Sequence, residues 1–395
     1  MPATDFLGSI YTYTWDLAEE GLERSTGRIV ELTGCHEVMV ALSYHIATYF
    51  LPHNPVRPFY HGEDAALYFQ PDPKRYTRTR ITPRVSEIVK TPDFTERIVD
   101  AIRKRGLEFG AWIVYMFNHH LSARYPEFAR QDAFGTPYHG QLSPAPDDVR
   151  EYLVAMTADI VERFRPSAVH VESLCRLHWN YGFLNPKVLS PVTPRDQFLL
   201  GLCFNKHSIA RASGAKLDGE KLRHDVAEYL RPRLARLPRP TDLEPVTAAW
   251  LDEAFDGRLK LYLDAGRKHT TELWMRVAEV IHKGGARLQT IPANLESSWS
   301  NDLSPSVNRQ VERMTIGPLE NGDKGVARVR ELSAAMEKGG MVMVSTQPGS
   351  MTQPGPLQEQ VHTAAALGAK GATFYNYGLL REEQLRFIGT AMRTL

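Results

Sequence analysis

The sequence predicts an α/β fold, a (β/α)8 barrel, on three observations. Eight short β-rich runs recur along its 395 residues, amphipathic helical stretches stand between most of them, and the residues that close the runs are mainly polar or aromatic. Strand alternating with helix is the pattern of a parallel sheet, and eight such units suit a closed barrel whose functional groups gather at the C-terminal strand ends.

In order, the runs are SIYTYTWD from residue 9, EVMVALSYH from 37, FGAWIVYMFN from 109 and SAVHVES from 167. They continue with ARLQTIPA from 286, RMTIGP from 313, GMVMVSTQ from 340 and GATFYNYG from 371. Each is rich in the β-branched and aromatic residues that suit a pleated strand. The clearest helical stretch, PDDVREYLVAMTADIVERF, places Val149, Leu153, Met156, Ile160 and Val161 at helical spacing. Its acidic first turn favours the helix dipole.

Two stretches depart from the alternation. Residues 46–92, after the second run, are rich in Pro, Tyr, Phe and Arg and lack a long helical period. They read as a lid loop over the barrel mouth, its aromatics stacking on a ligand, with subunit contact as the alternative use. Residues 194–284, after the fourth run, hold helical patterns separated by PRLARLPRPTDLEP and read as a helical elaboration of one barrel unit. The whole span 1–395 is therefore expected to form a single barrel domain.

Composition excludes several classes. With 43% hydrophobic and 24% charged residues and no apolar run of membrane-spanning length, neither disorder nor a membrane partner is indicated. A formal charge of +1 argues against nucleic acid as a partner. Cys35, Cys175 and Cys203 are too few and too scattered for a disulfide framework or a zinc spacing. The opening MPATDFLGSIYTYTWDLAEEG shows neither a basic nor an apolar signal region, so a cytoplasmic location is expected. Oligomeric state is not legible.

The fourth run raises the functional question. Ala168-Val169-His170-Val171 finishes on Glu172, and desolvating an unpaired carboxylate is costly, so something at that tip should want one. The other tips supply Trp15 and Asp16, Tyr44 and His45, and Asn118, His119 and His120. The later strands lead to Asn294, Glu296 and Trp299, to Glu320, to Gln347, and to Tyr375, Asn376 and Tyr377; Trp179 follows Glu172 closely. Carboxylates, amides, imidazoles and aromatic faces at one mouth suit a polyhydroxylated ligand: rings cover its apolar faces while polar groups bond its hydroxyls.

The segment YPEFARQDAFGTPYHGQLSPAPDDVREYLVAMTADIVERFRPSAVHVES resembles the bacterial TIM-barrel proteins grouped as glycoside hydrolase-like. These carry a "YPE...G" loop, a "CP-x-x-P-x-V-R-x-Y" helix start and a strand ending in an acid. The matching residues are Tyr125, Pro126, Glu127, Gly135, Ser143, Pro144, Pro146, Val149, Arg150, Tyr152 and Glu172, with Ser143 in place of the cysteine. WIVYMFNHH is similar to that group's third strand, so the resemblance covers residues 109–173. It implies a TIM barrel and carbohydrate chemistry without naming a sugar.

The leading reading is a glycoside hydrolase acting on a sugar or glycoside with no cofactor, Glu172 serving as acid/base or nucleophile. Its partner carboxylate would be Glu296, then Asp16, then Glu320, because glycosidic cleavage generally uses two carboxyl groups. Substrate contacts are expected from Trp15, Tyr44, His45, Asn118, His119, Trp179, Trp299, Gln347, Asn376 and Tyr377. Several of these have plainer uses: Glu172 pairing with Arg176 or a histidine, Asp16 capping a helix, Cys175 as a small buried hydrophobe. The arginines of KRYTRTRITPR read as a solvated face or an anion site. The rivals are a metal-dependent sugar isomerase, epimerase or lyase built on His45, His119 or His120, Glu172 and Glu296, and a barrel that binds carbohydrate without catalysis.

Overall fold

The computed structural model describes residues 6–293, 301–337 and 340–395. Its parallel strands are β1 (Leu7–Tyr13), β2 (Glu37–Tyr44), β3 (Glu108–Val114), β4 (Ala168–Glu172), β5 (Arg287–Thr290), β6 (Arg313–Ile316), β7 (Met341–Thr346) and β8 (Gly371–Phe374). Each pairs with the next, and β1 pairs with both β2 and β8, so the sheet closes into a (β/α)8 TIM barrel. Every residue of β2 is buried, helices covering one face and side chains filling the bore on the other.

The N-terminal end of the bore is plugged by an ion pair. One guanidinium nitrogen of Arg313 donates to the two oxygens of Glu37 at 2.9 and 2.6 Å, and the hydroxyls of Ser9 and Ser167 donate to the same carboxylate at 2.9 Å each. Both charged side chains are buried, so this network must be satisfied internally.

Before β4, helix Asp147–Phe164 buries Val149, Leu153, Met156 and Ile160 and ends where Arg165 adopts a left-handed φ of 46°. After β4, helices Pro194–Leu200, Lys206–Ser213, Gly219–Leu234 and Ala248–Glu253 gather an apolar cluster of their own. Helix Arg258–Lys283 belongs to both parts. Leu259 and Leu263 enter that second cluster, whereas Leu273, Val277 and Ile281 enter the barrel core. The helical elaboration is therefore continuous with the helix that returns the chain to β5.

Three local differences from the sequence reading matter for the site. The first strand stops at Tyr13 and a helix, Thr14–Glu20, begins at once, so Trp15 and Asp16 lie in a helical turn. The third stops at Val114; Phe117–Asn118 instead pairs antiparallel with Pro137–Leu142, off the barrel. Residues 46–92 hold a ribbon, Thr48–Phe50 against Phe59–His61, and a short strand, Ala66–Leu67, antiparallel to the end of β2. Tyr49, Tyr60 and Tyr68 of this segment pack on Trp15, and Arg75 and Arg80 pair with Glu162 and Asp148 of the helix before β4. Those arginines are neutralised by acids of the barrel's own wall.

Candidate active site

A cavity of about 710 Å³ opens at the C-terminal strand ends. Side chains two residues apart on a strand share a face, so β4 sends both His170 and Glu172 into it. The register between β3 and β4 sets Trp112 opposite His170 and Val114 opposite Glu172. Trp112 rises from the lower level and donates its indole N–H to Oε2 of Glu172 at 2.6 Å. Oε1 has no protein partner among the described residues. Burial pushes this carboxyl above the usual glutamate range, and the indole hydrogen bond opposes part of that rise by favouring the anion.

The walls are aromatic. Tyr44 and Tyr375 line the cavity, and both hydroxyls are tied to Tyr13 behind them, at 3.3 and 2.7 Å. Burial drives the Tyr13 and Tyr44 phenols far above their ordinary values, so they stay protonated donors. At the cavity floor the Tyr11 hydroxyl lies 2.5 Å from Nδ1 of His170, and the amide nitrogen of Gln289 lies 3.0 Å from that hydroxyl and 3.3 Å from Nδ1. Burial lowers the His170 imidazole to about 4, so the ring is neutral over the ordinary pH range.

Of the residues singled out in the sequence, Glu172, Tyr44, Gln347 and Tyr375 line this cavity. The others are placed elsewhere. Asp16 is buried at the start of its helix, where Oδ2 accepts the Tyr13 N–H at 3.0 Å and the Thr12 hydroxyl at 3.2 Å. It packs against Gly378, where a Cβ would come within 2.1 Å of Oδ1. It caps that helix and does not line the mouth. Trp15 is buried and stacked on Tyr13 at 4.4 Å. His45 stacks between Tyr44 and Phe117 and bonds the Ile46 carbonyl through Nδ1.

Asn118 caps helix His119–Arg124 by accepting the Leu121 N–H. His119 turns to the Gly182 carbonyl, at 2.8 Å. Arg130 donates to the Trp179 and Leu200 carbonyls, tying Trp179 to the first helix of the elaboration. Asn376 and Tyr377 are buried just past the end of β8; Tyr377 donates to Glu20. Glu320 is exposed beside Lys324. Arg176 pairs with Asp302 and leaves Glu172 unclaimed. Asn294, Glu296 and Trp299 lie outside the described residues. No residue of 46–92 lines the cavity: its aromatics support the Tyr13–Trp15 wall from behind, in place of the stacking on a ligand expected of a lid.

Among the residues missed are Tyr11, Trp112, His170, Ser345 and Met351. The first three lie two positions below Tyr13, Val114 and Glu172, so counting back by two from each strand end would have found them. Met351 arrives on a turn after β7 and left no such signal. Among the described residues, no three His, Cys, Asp or Glu side chains converge as metal ligands. No described helix is long and apolar enough to cross a membrane.

No family model and no curated protein sequence matches the chain. Solved structures do. The α-L-fucosidase isoenzyme 2 of Paenibacillus thiaminolyticus aligns over 98% of this chain at a TM-score of 0.57 and 12% identity, and the chain spans 49% of it. The β-galactosidase of a psychrophilic Marinomonas aligns over 98% at 0.58 and 10% identity, the chain spanning 59% of it. The catalytic domain of the Paenibacillus polymyxa β-amylase aligns over 99% of both chains at 0.56 and 12% identity. At these identities the likeness is one of fold: the chain has a TIM barrel, as those glycoside hydrolases have, with Glu172 at the C-terminal end of its fourth strand.

Proposed function

We propose that this protein is a glycoside hydrolase-like enzyme that acts on a sugar or glycoside, with Glu172 as proton donor. The observation that carries this reading is the condition of that carboxyl group. It is raised by burial, so it keeps its proton to higher pH than an exposed glutamate. Its Oε2 is engaged as an acceptor by Trp112, which directs the acidic proton to Oε1, the oxygen without a partner among the described residues. A leaving-group oxygen seated there takes that proton as its bond to the anomeric carbon breaks, leaving Glu172 ionised and the indole bond strengthened. The tyrosine and tryptophan walls suit the apolar faces and hydroxyls of a sugar ring. That the fold neighbours are glycoside hydrolases supports the same reading, at the level of analogy.

The second carboxylate is assigned to Glu296 on sequence grounds. β5 adjoins β4, and Ile291, just past the end of β5, lines the cavity. Facing Glu172 at about 5 to 5.5 Å it would serve as nucleophile with retention, and at about 6.5 to 9.5 Å as base with inversion. The metal-dependent isomerase or lyase reading has less behind it, since neither His45 nor His119 lines the cavity and each is bonded to a backbone carbonyl.

The test is turnover of a panel of aryl glycosides by the wild-type chain and by Glu172→Gln. The variant keeps its shape and loses its acid, so kcat should fall by about 10² to 10⁴ with an unchanged circular dichroism spectrum. Near-wild-type turnover by Glu172→Gln refutes the assignment. Sugar binding with no turnover by the wild type leaves the barrel a binding protein.

A further inference from the structure

Below Glu172 the cavity is blind. Tyr11, His170 and Gln289 close its floor, and the Glu37–Arg313 plug fills the bore beneath them. The floor nevertheless presents an open polar atom. His170 has Nδ1 engaged by Tyr11 and Gln289, whereas Nε2 has no protein partner among the described residues and is not sealed from solvent. The Gln289 amide donates to the Tyr11 oxygen, which sends the phenol's own proton to Nδ1. The neutral ring therefore carries its hydrogen on Nε2, as a donor aimed into the cavity.

His170 and Glu172 stand two residues apart on one face of β4, so their Cα atoms are ~6.6 Å apart along the strand. That separation is comparable to the span of one pyranose ring. Trp112 and Tyr11, edge to face at 5.0 Å, wall the space beside them.

We propose that the bore receives one terminal sugar residue end-on, with His170 Nε2 hydrogen-bonded to the hydroxyl farthest from the bond that Glu172 protonates, so that the substrates are glycosides cleaved at a chain end. This rests on the reading of Glu172 as proton donor. An internal sugar of a chain is excluded because its continuing linkage would have to pass through the floor.

Two variants separate recognition from support. His170→Asn keeps an amide near the Nδ1 position, facing Tyr11, and deletes the cavity atom; His170→Gln places an amide near the Nε2 position. On an aryl monoglycoside that the wild type turns over, His170→Asn should lower kcat/KM about tenfold or more, and His170→Gln should lower it less. On the deoxy analogue lacking the hydroxyl that is read, His170→Asn should change kcat/KM little. An equal loss on the parent and on every monodeoxy analogue overturns the proposal, because it marks a purely structural histidine. Cleavage inside an oligosaccharide blocked at its non-reducing end overturns it as well.

If no glycoside is turned over, the Glu172 reading fails on its own assay. The pocket is then tested by saturation-transfer NMR with free glucose, galactose, mannose and fucose. Binding lost in His170→Asn and kept in His170→Gln supports the proposal; no binding, or binding unchanged in His170→Asn, overturns it.

Discussion

Asp16→Asn separates a structural carboxylate from a catalytic one by its effect on stability. Asp16 is buried, Oδ2 accepts two hydrogen bonds, and Oδ1 is buried with no partner among the described residues. Burial raises its carboxyl from 3.8 to about 7. Because the folded value exceeds the unfolded one, the associated stability is present in full below the unfolded value and is lost as pH rises through the folded value. A shift of about 3 units at 1.36 kcal/mol each makes the loss roughly 4 kcal/mol between about pH 4 and pH 8.

Asparagine resembles the protonated acid: it retains an acceptor for the Tyr13 N–H and, like the acid, carries a donor where Oδ1 stands. In urea denaturation, Asp16→Asn should therefore match the wild type near pH 4 and exceed it by roughly 4 kcal/mol near pH 8. Turnover at neutral pH should change less than twofold. Stabilities that differ by the same amount at both pH values would refute the burial argument, and a loss of turnover as large as that in Glu172→Gln would return Asp16 to the catalytic machinery.

Trp112→Phe removes the hydrogen bond that holds Glu172 down, so the Glu172 pKa rises further and the alkaline limb of the kcat/KM profile should move to higher pH. A limb that stays put or moves down means another group sets it. Glu37→Gln leaves the Arg313 guanidinium buried without a counter-charge and should cost about 3 to 5 kcal/mol in urea denaturation, with Glu37→Met/Arg313→Met recovering most of it. A loss under about 1 kcal/mol for Glu37→Gln would mean the plug does not secure the closed end of the barrel.

The strands were legible because a barrel strand is buried on both faces and so reads as a continuous β-rich run whatever its neighbours are. Their ends were less so. Taking the last polar residues of each run as the tip failed at SIYTYTWD, where Asp16 accepts the Tyr13 N–H and turns the chain into a helix, and at FGAWIVYMFN, where Phe117 and Asn118 leave the barrel to pair with Pro137–Leu142. Both are decided by contacts a periodicity cannot register. Spacing along one strand does tell which residues share a face: Glu172 implies His170, and Tyr13 implies Tyr11. Which faces meet is set only when the barrel closes. Closure brings Tyr11 of β1 to His170 of β4, 159 residues apart in sequence, and the register of β3 against β4 brings Trp112 under Glu172. The sequence could therefore single out Glu172, but the groups that hold its carboxyl and the depth of its pocket come from long-range register. Chemistry at this mouth will follow changes at Trp112 and His170 more closely than changes at the buried Asp16 or Tyr377.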